Sequence, residues 1–128
     1  MTTNNACNIS AITGTKQITQ AGHGFVAGNV LYLNSATWTK AIATSAAAAE
    51  VVGVVLASID ANTFLMQYNG YVQGLSGLAS GSLYYLDPTT AGALTATAPT
   101  APTQIVKPLL VADSATSGYW INLLGVAI

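Results

Sequence analysis

Apolar residues along the chain come in short runs, roughly four to eight residues long, that are separated by clusters of Gly, Asn, Asp, Ser and Pro. In the run 64–68, alternation places Phe64, Met66 and Tyr68 on one face, because successive side chains of a strand point to opposite sides. The run 119–123 repeats this alternation. Runs of this kind, bounded by turn residues, are typical of β-strands.

We predict ten strands from these runs: 16–20, 29–33, 38–42, 51–58, 63–68, 71–73, 82–86, 93–96, 104–112 and 118–124. No segment keeps apolar residues at helical spacing over three turns, and the alanine-rich stretch 44–50 is expected to form a helical turn or a loop. Pro108 predicts that its strand lies at a sheet edge or begins after the proline. The pattern predicts an all-β protein, a compact β-barrel or sandwich-like domain.

Two segments of the chain share one pattern. Residues 24–34 read GFVAGNVLYLN and residues 77–87 read GLASGSLYYLD, and each is followed by a turn, an apolar run and a strand that closes in glycine. We therefore predict two similar β units, about 16–73 and 74–128, within a single domain over 16–128. Residues 1–15 are predicted to be an extended N-terminal arm, either disordered or ordered by a neighbouring subunit.

Glycines and one proline mark the turns. Gly24, Gly28, Gly77 and Gly81 stand at matching points of the two segments and are expected to adopt positive φ where the chain turns into a strand. The sequence Asp-Pro-Thr-Thr at 87–90 predicts a turn, because an Asp side chain can accept hydrogen bonds from the backbone N–H groups that follow it.

Charged side chains are scarce. They make up 5% of the chain, against about 25% in an ordinary domain, and the formal net charge is −1. Such a surface repels its copies weakly, so self-association is expected. Three Lys plus Arg cannot neutralise the roughly six to ten phosphates of a nucleic-acid site, so no nucleic-acid partner is expected.

No signal peptide or membrane span is expected. The first residues lack a basic region followed by an apolar one, and the longest apolar stretch, 46–57, is too short to cross a bilayer and contains Glu50 and Gly53. The protein is therefore expected to be made in a cytoplasm and to have no membrane partner.

Catalytic chemistry is not indicated. Cys7 is the only cysteine, which excludes an intrachain disulfide, and His23 is the only histidine and lies in a glycine-flanked turn. No Cys/His spacing suits zinc and no acidic loop suits calcium. A glycosidase pair is not favoured, because the carboxylates mostly stand at strand ends or turns: Glu50, Asp60, Asp87 and Asp113. We expect no enzyme, no cofactor and no metal.

Aromatic residues leave two interpretations open. Exposed rings can stack on sugars, whereas rings on alternating strands are more often core or subunit-interface residues, because a large ring contributes most when it is buried. The candidates are Trp38, Tyr84, Tyr85, Tyr119 and Trp120.

Several motifs together resemble a β module of tailed-bacteriophage structural proteins. The likeness covers about residues 21–125, and it is found in head decoration (cement) proteins and in tail-fibre or tail-tip proteins. The motifs are AGHGFVAGNVLY at 21–32, WTKA at 38–41, AEVVGVV at 49–55, GLSGL at 74–78, YYLD at 84–87, KPL at 107–109 and SGY at 117–119.

The resemblance implies a β domain that forms homotrimers and sits on the capsid surface of the virion. It implies binding at three-fold or quasi-three-fold points of the lattice, where trimers clamp neighbouring major capsid proteins. The module fills nearly the whole chain, without shaft repeats or an adhesin domain, which favours decoration. The alternative is a tail-fibre or receptor-binding module that recognises host glycan.

The N-terminal residues are the predicted partner contact. Residues 1–20 are expected to add an extended strand to a neighbour, with Ile9, Ile12 and Ile18 as the apolar contacts.

Overall fold

Twelve β-strands make up the regular structure of residues 14–128, the part of the chain that the computed structural model describes. No helix occurs in this part, which confirms the predicted all-β class. The strands are β1 (Thr15–Thr19), β2 (Val30–Asn34), β3 (Thr37–Lys40), β4 (Val51–Asp60), β5 (Thr63–Gln67), β6 (Gly70–Gln73), β7 (Leu83–Leu86), β8 (Leu94–Thr95), β9 (Ile105–Val106), β10 (Pro108–Ala112), β11 (Ser117–Trp120) and β12 (Val126–Ala127).

Ten of these strands form two five-stranded antiparallel sheets. Sheet A has the order β1-β5-β4-β2-β3, sheet B has the order β6-β11-β10-β7-β8, and β9 pairs separately with β12. The arrangement is sandwich-like, and neither sheet closes into a barrel by strand pairing. The two orders coincide when β6, β7, β8, β10 and β11 are matched to β1, β2, β3, β4 and β5. The boundary between the sheets precedes β6, one strand earlier than the predicted division after residue 73.

The two sheets agree in residue pairing as well as in strand order. The pairing of β2 with β4 skips Val52, and the pairing of β7 with β10 skips Leu109, so both sheets carry a bulge at the same place. The flanking pairs are Val30–Val54, Leu31–Gly53 and Tyr32–Val51 in sheet A, and Leu83–Val111, Tyr84–Leu110 and Tyr85–Pro108 in sheet B. The chain is therefore built from two similar β units.

The entry into β2 and β7 is also the same. Gly28 (φ +95°) donates its N–H to Val55 O at 2.8 Å, and Gly81 (φ +85°) donates to Ala112 O at 2.7 Å. A residue with a Cβ disfavours such φ values, which explains glycine at both points. The predicted positive φ is confirmed at all four glycines, including Gly24 and Gly77.

Two apolar clusters form the core. Sheet A encloses the first, which consists of Ile18, Phe25, Leu31, Val55, Phe64 and Met66. The second contains inward residues of sheet B, such as Tyr84, Leu110 and Trp120, together with Val30 and Val54 from the other face of sheet A. The central strands of sheet A are therefore buried on both faces.

Two predicted strands are shorter or divided in the structure. The run 104–112 is split at Lys107 into β9 and β10, and the run 118–124 ends at Trp120. Of the two alternatives predicted for Pro108, the edge strand is wrong, because β10 lies between β11 and β7, whereas β10 begins at the proline itself, one residue before the predicted start. A proline fits there because the first residue of a strand can lack a ladder hydrogen bond.

Both predicted turns have the expected geometry. The stretch 44–50 forms turns without a helix, in which Ala49 N donates to Ser45 O at 3.1 Å. Asp87 Oδ1 accepts hydrogen bonds from the backbone N–H groups of Thr89 at 2.7 Å and Thr90 at 3.0 Å. Within residues 14–128, no helix is long and apolar enough to span a membrane.

Candidate interaction surface

The outer face of sheet B carries an apolar surface, which we call the tyrosine face. Tyr71, Tyr119, Val111 and Leu83 lie side by side on it, since Tyr71 pairs with Tyr119, Tyr119 with Val111, and Val111 with Leu83. Tyr119 is 55% exposed, Tyr71 is 41% exposed, and the other members are half-buried. Its full membership is Tyr71, Leu83, Tyr85, Pro108, Val111 and Tyr119. Contiguous apolar surface of this kind marks sites of interaction.

The equivalent face of sheet A is covered. Val30, Tyr32, Val51 and Val54 take the places of Leu83, Tyr85, Pro108 and Val111 there, and Val30 and Val54 have no exposed surface at all. These four residues belong to the second cluster or pack against it. The same face is therefore buried in the first unit and open in the second.

A polar network holds the edge of the tyrosine face. Tyr71 Oη donates to Asp113 Oδ2 at 2.8 Å and lies 2.9 Å from Ser117 Oγ, which itself donates to Asp113 Oδ1 at 2.6 Å. The rings of Tyr71 and Tyr119 are 5.1 Å apart between centroids. The network thus ties β6 to the turn between β10 and β11 and fixes the Tyr71 ring.

The network also shifts two pKa values. The hydrogen bond from Ser117, followed by that from Tyr71, lowers the pKa of Asp113. For Tyr71 the contact with Ser117 acts to lower the pKa, but the hydrogen bond to Asp113, burial and the Asp113 charge outweigh it and raise the pKa. Asp113 thus accepts hydrogen bonds from both hydroxyls and holds Ser117 and Tyr71 in place.

A cleft of about 410 Å³ opens between the two units. Its walls come from Gly28, Asn29 and Lys40 of the first unit and from the loops 74–78 and 90–94 with Tyr84 of the second. Tyr84 Oη accepts a hydrogen bond from Ala79 N at 2.9 Å, which fixes this ring in the wall. The volume falls in the range of small-ligand sites, roughly 300–1,000 Å³.

His23 is held in place by contacts between its ring nitrogens and the backbone. Its Nδ1 accepts a hydrogen bond from Phe25 N at 2.9 Å, and its Nε2 lies 2.7 Å from Asp60 O and 3.2 Å from Thr63 O. The side chain is 9% exposed. Every polar atom of the ring is thus engaged with backbone, as the predicted turn role requires.

Of the three predicted partner residues, two lie outside the described residues and one lies in the core. Ile9 and Ile12, like Cys7, lie outside the described residues. Ile18 is 8% exposed and packs in the first cluster opposite Phe64, so its side chain is a core residue rather than an open contact. Its strand β1 does form an edge of sheet A, where its backbone can meet a neighbour.

The candidate aromatics divide between core and surface. Trp120 and Tyr84 are buried, Trp38 and Tyr85 are half-buried, and Tyr119 is exposed. Sequence reasoning missed the tyrosine face as a unit, because Tyr71 and Tyr119 are far apart in the chain and only the strand register brings them together. The alternation of Ser117 with Tyr119, and of Tyr71 with Gln73, was the one available signal.

Within residues 14–128, no three His, Cys, Asp or Glu side chains come together to hold a metal ion. Comparison of the chain with protein-family models, with curated proteins and with solved structures gives no match in any of the three. The likeness to phage structural proteins therefore stays a hypothesis based on the sequence motifs.

Proposed function

We propose that this protein is a non-enzymatic structural virion protein that forms homotrimers and binds the outside of a tailed-phage capsid, where it stabilises the shell. The observation that carries the proposal is the open tyrosine face on a chain with almost no charge to keep its copies apart. The sequence motifs described above supply the virion context.

Self-association follows from the surface chemistry. Three Lys plus Arg and four Asp plus Glu serve a chain of 128 residues, and the tyrosine face contains none of them. Removing apolar area from water contributes about 25 cal/mol per Å², and little like-charge repulsion opposes the contact. Protein neighbours therefore provide more favourable surroundings for this face than water.

A trimer would grip the shell more tightly than one copy. Several contacts made by one particle raise avidity by about 10²–10⁴ when the geometry allows them together. A protein that binds only the assembled shell stabilises it by mass action. Residues 1–13, including Ile9 and Ile12, are proposed to supply part of the capsid contact by adding a strand to a neighbour, since residues 15–19 already form β1 in sheet A.

The proposal is tested with purified protein and expanded capsids of the phage that encodes it. We expect a trimer in light scattering, saturable binding to capsids, and a higher temperature of DNA release from decorated heads. Deletion of residues 2–13 is expected to lower capsid occupancy while the trimer remains. Quantitative mass spectrometry should find high copy number in heads rather than tails. A protein that stays monomeric at high concentration and attaches to no particle contradicts the proposal.

The second candidate function is recognition of host glycan by a tail-fibre or receptor-binding module, and the cleft is the observation that favours it. It offers Lys40 and Asn29 in one concave site of suitable size, with the buried Tyr84 behind its wall. A glycan array with the wild type and with Ala91→Trp, which places a large ring in the cleft wall, tests this function. Binding that is lost in the variant supports it, and binding by neither protein removes it.

A further inference from the structure

We infer that the tyrosine face binds a second copy of this chain, head to tail, at the end of that copy's sheet A where Leu33 is exposed. The inference rests on the self-association in the proposed function and names the two surfaces that meet. The joint between the two units of one chain buries apolar residues whose counterparts elsewhere in the molecule are exposed.

Within one chain, the outer face of sheet A is covered by the end of the second unit. Val30 N donates to Gly92 O at 3.0 Å, Gly92 N donates to Ala41 O at 2.7 Å, and Ala43 N donates to Asp87 O at 3.1 Å. Leu86, next to Asp87, has no exposed surface and belongs to the same cluster as Val30. This internal joint thus combines backbone hydrogen bonds with apolar burial.

The apolar residues on each side of the internal joint have open counterparts elsewhere in the molecule, whereas the loop that carries Gly92 has none in the short turn between β2 and β3. The cross-strand pair Leu86–Leu94 of sheet B matches the pair Leu33–Trp38 of sheet A. Leu86 is fully buried, whereas Leu33 is 46% exposed. The buried pair Val30–Val54 matches Leu83–Val111, which is half-buried and extends into exposed Tyr119.

The proposed contact is heterologous, because it joins the tyrosine face of one copy to a different surface, the Leu33 end of sheet A, on the next copy. Such a contact closes into a ring when the rotation between subunits allows it, and three copies of a two-unit chain would make a ring of six similar units. The two surfaces carry no like charges, because the tyrosine face is uncharged and the turn 34–37 next to Leu33 reads Asn-Ser-Ala-Thr. A joint between two copies that repeats the apolar packing of the internal one therefore meets no repulsion between like charges.

Cysteine cross-linking tests the inference in the full-length chain with Cys7→Ser. Leu33→Cys and Leu83→Cys are prepared separately and together, and a short bismaleimide is added after mixing. We expect covalent dimers only when the two single variants are mixed. The double variant is expected to give covalent species up to the trimer.

The outcomes separate this inference from the proposed function. Covalent dimers from Leu83→Cys alone would show a symmetric contact and overturn the head-to-tail arrangement. A trimer in light scattering with no cross-links would overturn the assigned surfaces while self-association stands. A monomer under all conditions would overturn both.

Other occupants of the tyrosine face give their own results, read from the rate at which Leu83→Cys reacts with a soluble thiol reagent. Reaction that becomes fast only when residues 2–13 are deleted would assign the face to the arm and overturn the inference. Reaction that is fast in the free trimer and slow only on capsids would assign it to the shell, with the same consequence.

A matched pair of charge variants provides a second measurement. Tyr119→Asp puts a carboxylate on the tyrosine face, and Ile59→Asp does so at an equally exposed site outside it, the two wild-type side chains being 55% and 52% exposed. We expect Tyr119→Asp to raise the dissociation constant of the oligomer at least about tenfold, and Ile59→Asp to leave it unchanged. Equal effects would overturn the inference, and circular dichroism of both variants verifies that they fold.

Discussion

The side-chain amide of Gln20 pairs with both backbone groups of Trp38: Nε2 donates to Trp38 O at 3.0 Å, and Oε1 accepts from Trp38 N at 2.8 Å. Gln20 directly follows β1, and Trp38 lies in β3, the opposite edge strand of sheet A. On its other side Trp38 faces Leu33 of β2. The amide therefore takes the place of a neighbouring strand and bridges two edges that strand pairing leaves open.

Replacing Gln20 with Ala removes both hydrogen bonds at a partly buried site. We expect the free energy of unfolding to fall by about 1–3 kcal/mol, because Trp38 N–H and C=O lose their partner. Urea denaturation followed by tryptophan fluorescence measures this. Gln17→Ala, at an exposed residue of the same edge strand, is the control and should change stability by no more than about 0.5 kcal/mol. Equal losses in the two variants would show that the bridge does not stabilise the sheet.

The contacts of His23 predict its tautomer. A backbone N–H can only donate and a carbonyl can only accept, so Nδ1, which faces Phe25 N, is unprotonated and Nε2, which faces Asp60 O, carries the hydrogen. Long-range ¹H–¹⁵N NMR spectra at neutral pH should show the Nε2–H form. The reverse assignment would contradict the described turn.

Replacing His23 with Phe separates its packing from its hydrogen bonds. The new ring can keep the place of the imidazole, whose centroid lies 5.0 Å from that of Phe64, but the N–H of Phe25 and the carbonyl of Asp60 lose their partner. We expect a loss of about 1–3 kcal/mol in the free energy of unfolding, measured by urea denaturation. His23→Ala, which loses the packing as well, should lose more. A Phe variant as stable as the wild type would show that packing alone makes the contribution of His23.

Local signals predicted much of this fold. The shared pattern of 24–34 and 77–87 anticipates the equivalence of β2 and β7, because glycine positions and period-two alternation depend only on neighbouring residues. The Asp87 turn was predictable for the same reason, since its side chain bonds to the two N–H groups that follow Pro88.

Long-range packing decides which face of a strand becomes buried, and local sequence patterns do not predict this. Val30 and Leu83 are similar apolar residues at equivalent places, yet one is fully buried and the other half-buried, because only the first is covered by the opposite unit. Ile18 was predicted as a partner contact on the strength of its position near the arm, but the register with Phe64 places it inside the core. Strands that are apolar on both faces do not reveal which face is covered.

The lowered pKa of Asp113 predicts that the protein loses stability in acid. Its pKa in the folded state is lowered from 3.8, first by the Ser117 hydrogen bond and then by Tyr71, so the unfolded chain takes up the proton first as the pH falls. The stability that this carboxylate contributes is present above pH 3.8 and is lost as the pH falls through the lower folded-state pKa. Ser117→Ala removes the larger hydrogen bond and should move the pKa back toward 3.8.

An NMR titration of the Asp113 carboxyl carbon in wild type and Ser117→Ala measures this shift, and urea denaturation across the acid range measures its effect. Asp113→Asn cannot titrate at this position, so its stability should change less with pH over the same window. An Asp113 pKa that is the same in the wild type and in Ser117→Ala would contradict the role given to the Ser117 hydroxyl.

The buried ammonium of Lys107 lowers stability at neutral pH, and this loss is relieved in alkali. The side chain is 5% exposed between β9 and β10, and burial lowers its pKa from 10.5 although the Glu50 charge acts to raise it. The unfolded chain therefore binds the proton more tightly, and the free energy of unfolding rises with pH between the folded-state pKa and 10.5. Below that window the charged ammonium destabilises the fold.

Lys107→Met keeps a long apolar stem and removes the charge, so we expect the protein to gain stability at neutral pH. The attraction between the ammonium and Glu50 offsets part of the burial cost and keeps the gain small, about 0.5 kcal/mol. The rise in stability with alkaline pH should weaken in the variant, whereas Lys16→Met, at an exposed site of β1, should preserve it. Urea denaturation at neutral and alkaline pH measures both effects. A variant less stable than the wild type at neutral pH would mean that attraction to Glu50 outweighs the burial of the ammonium.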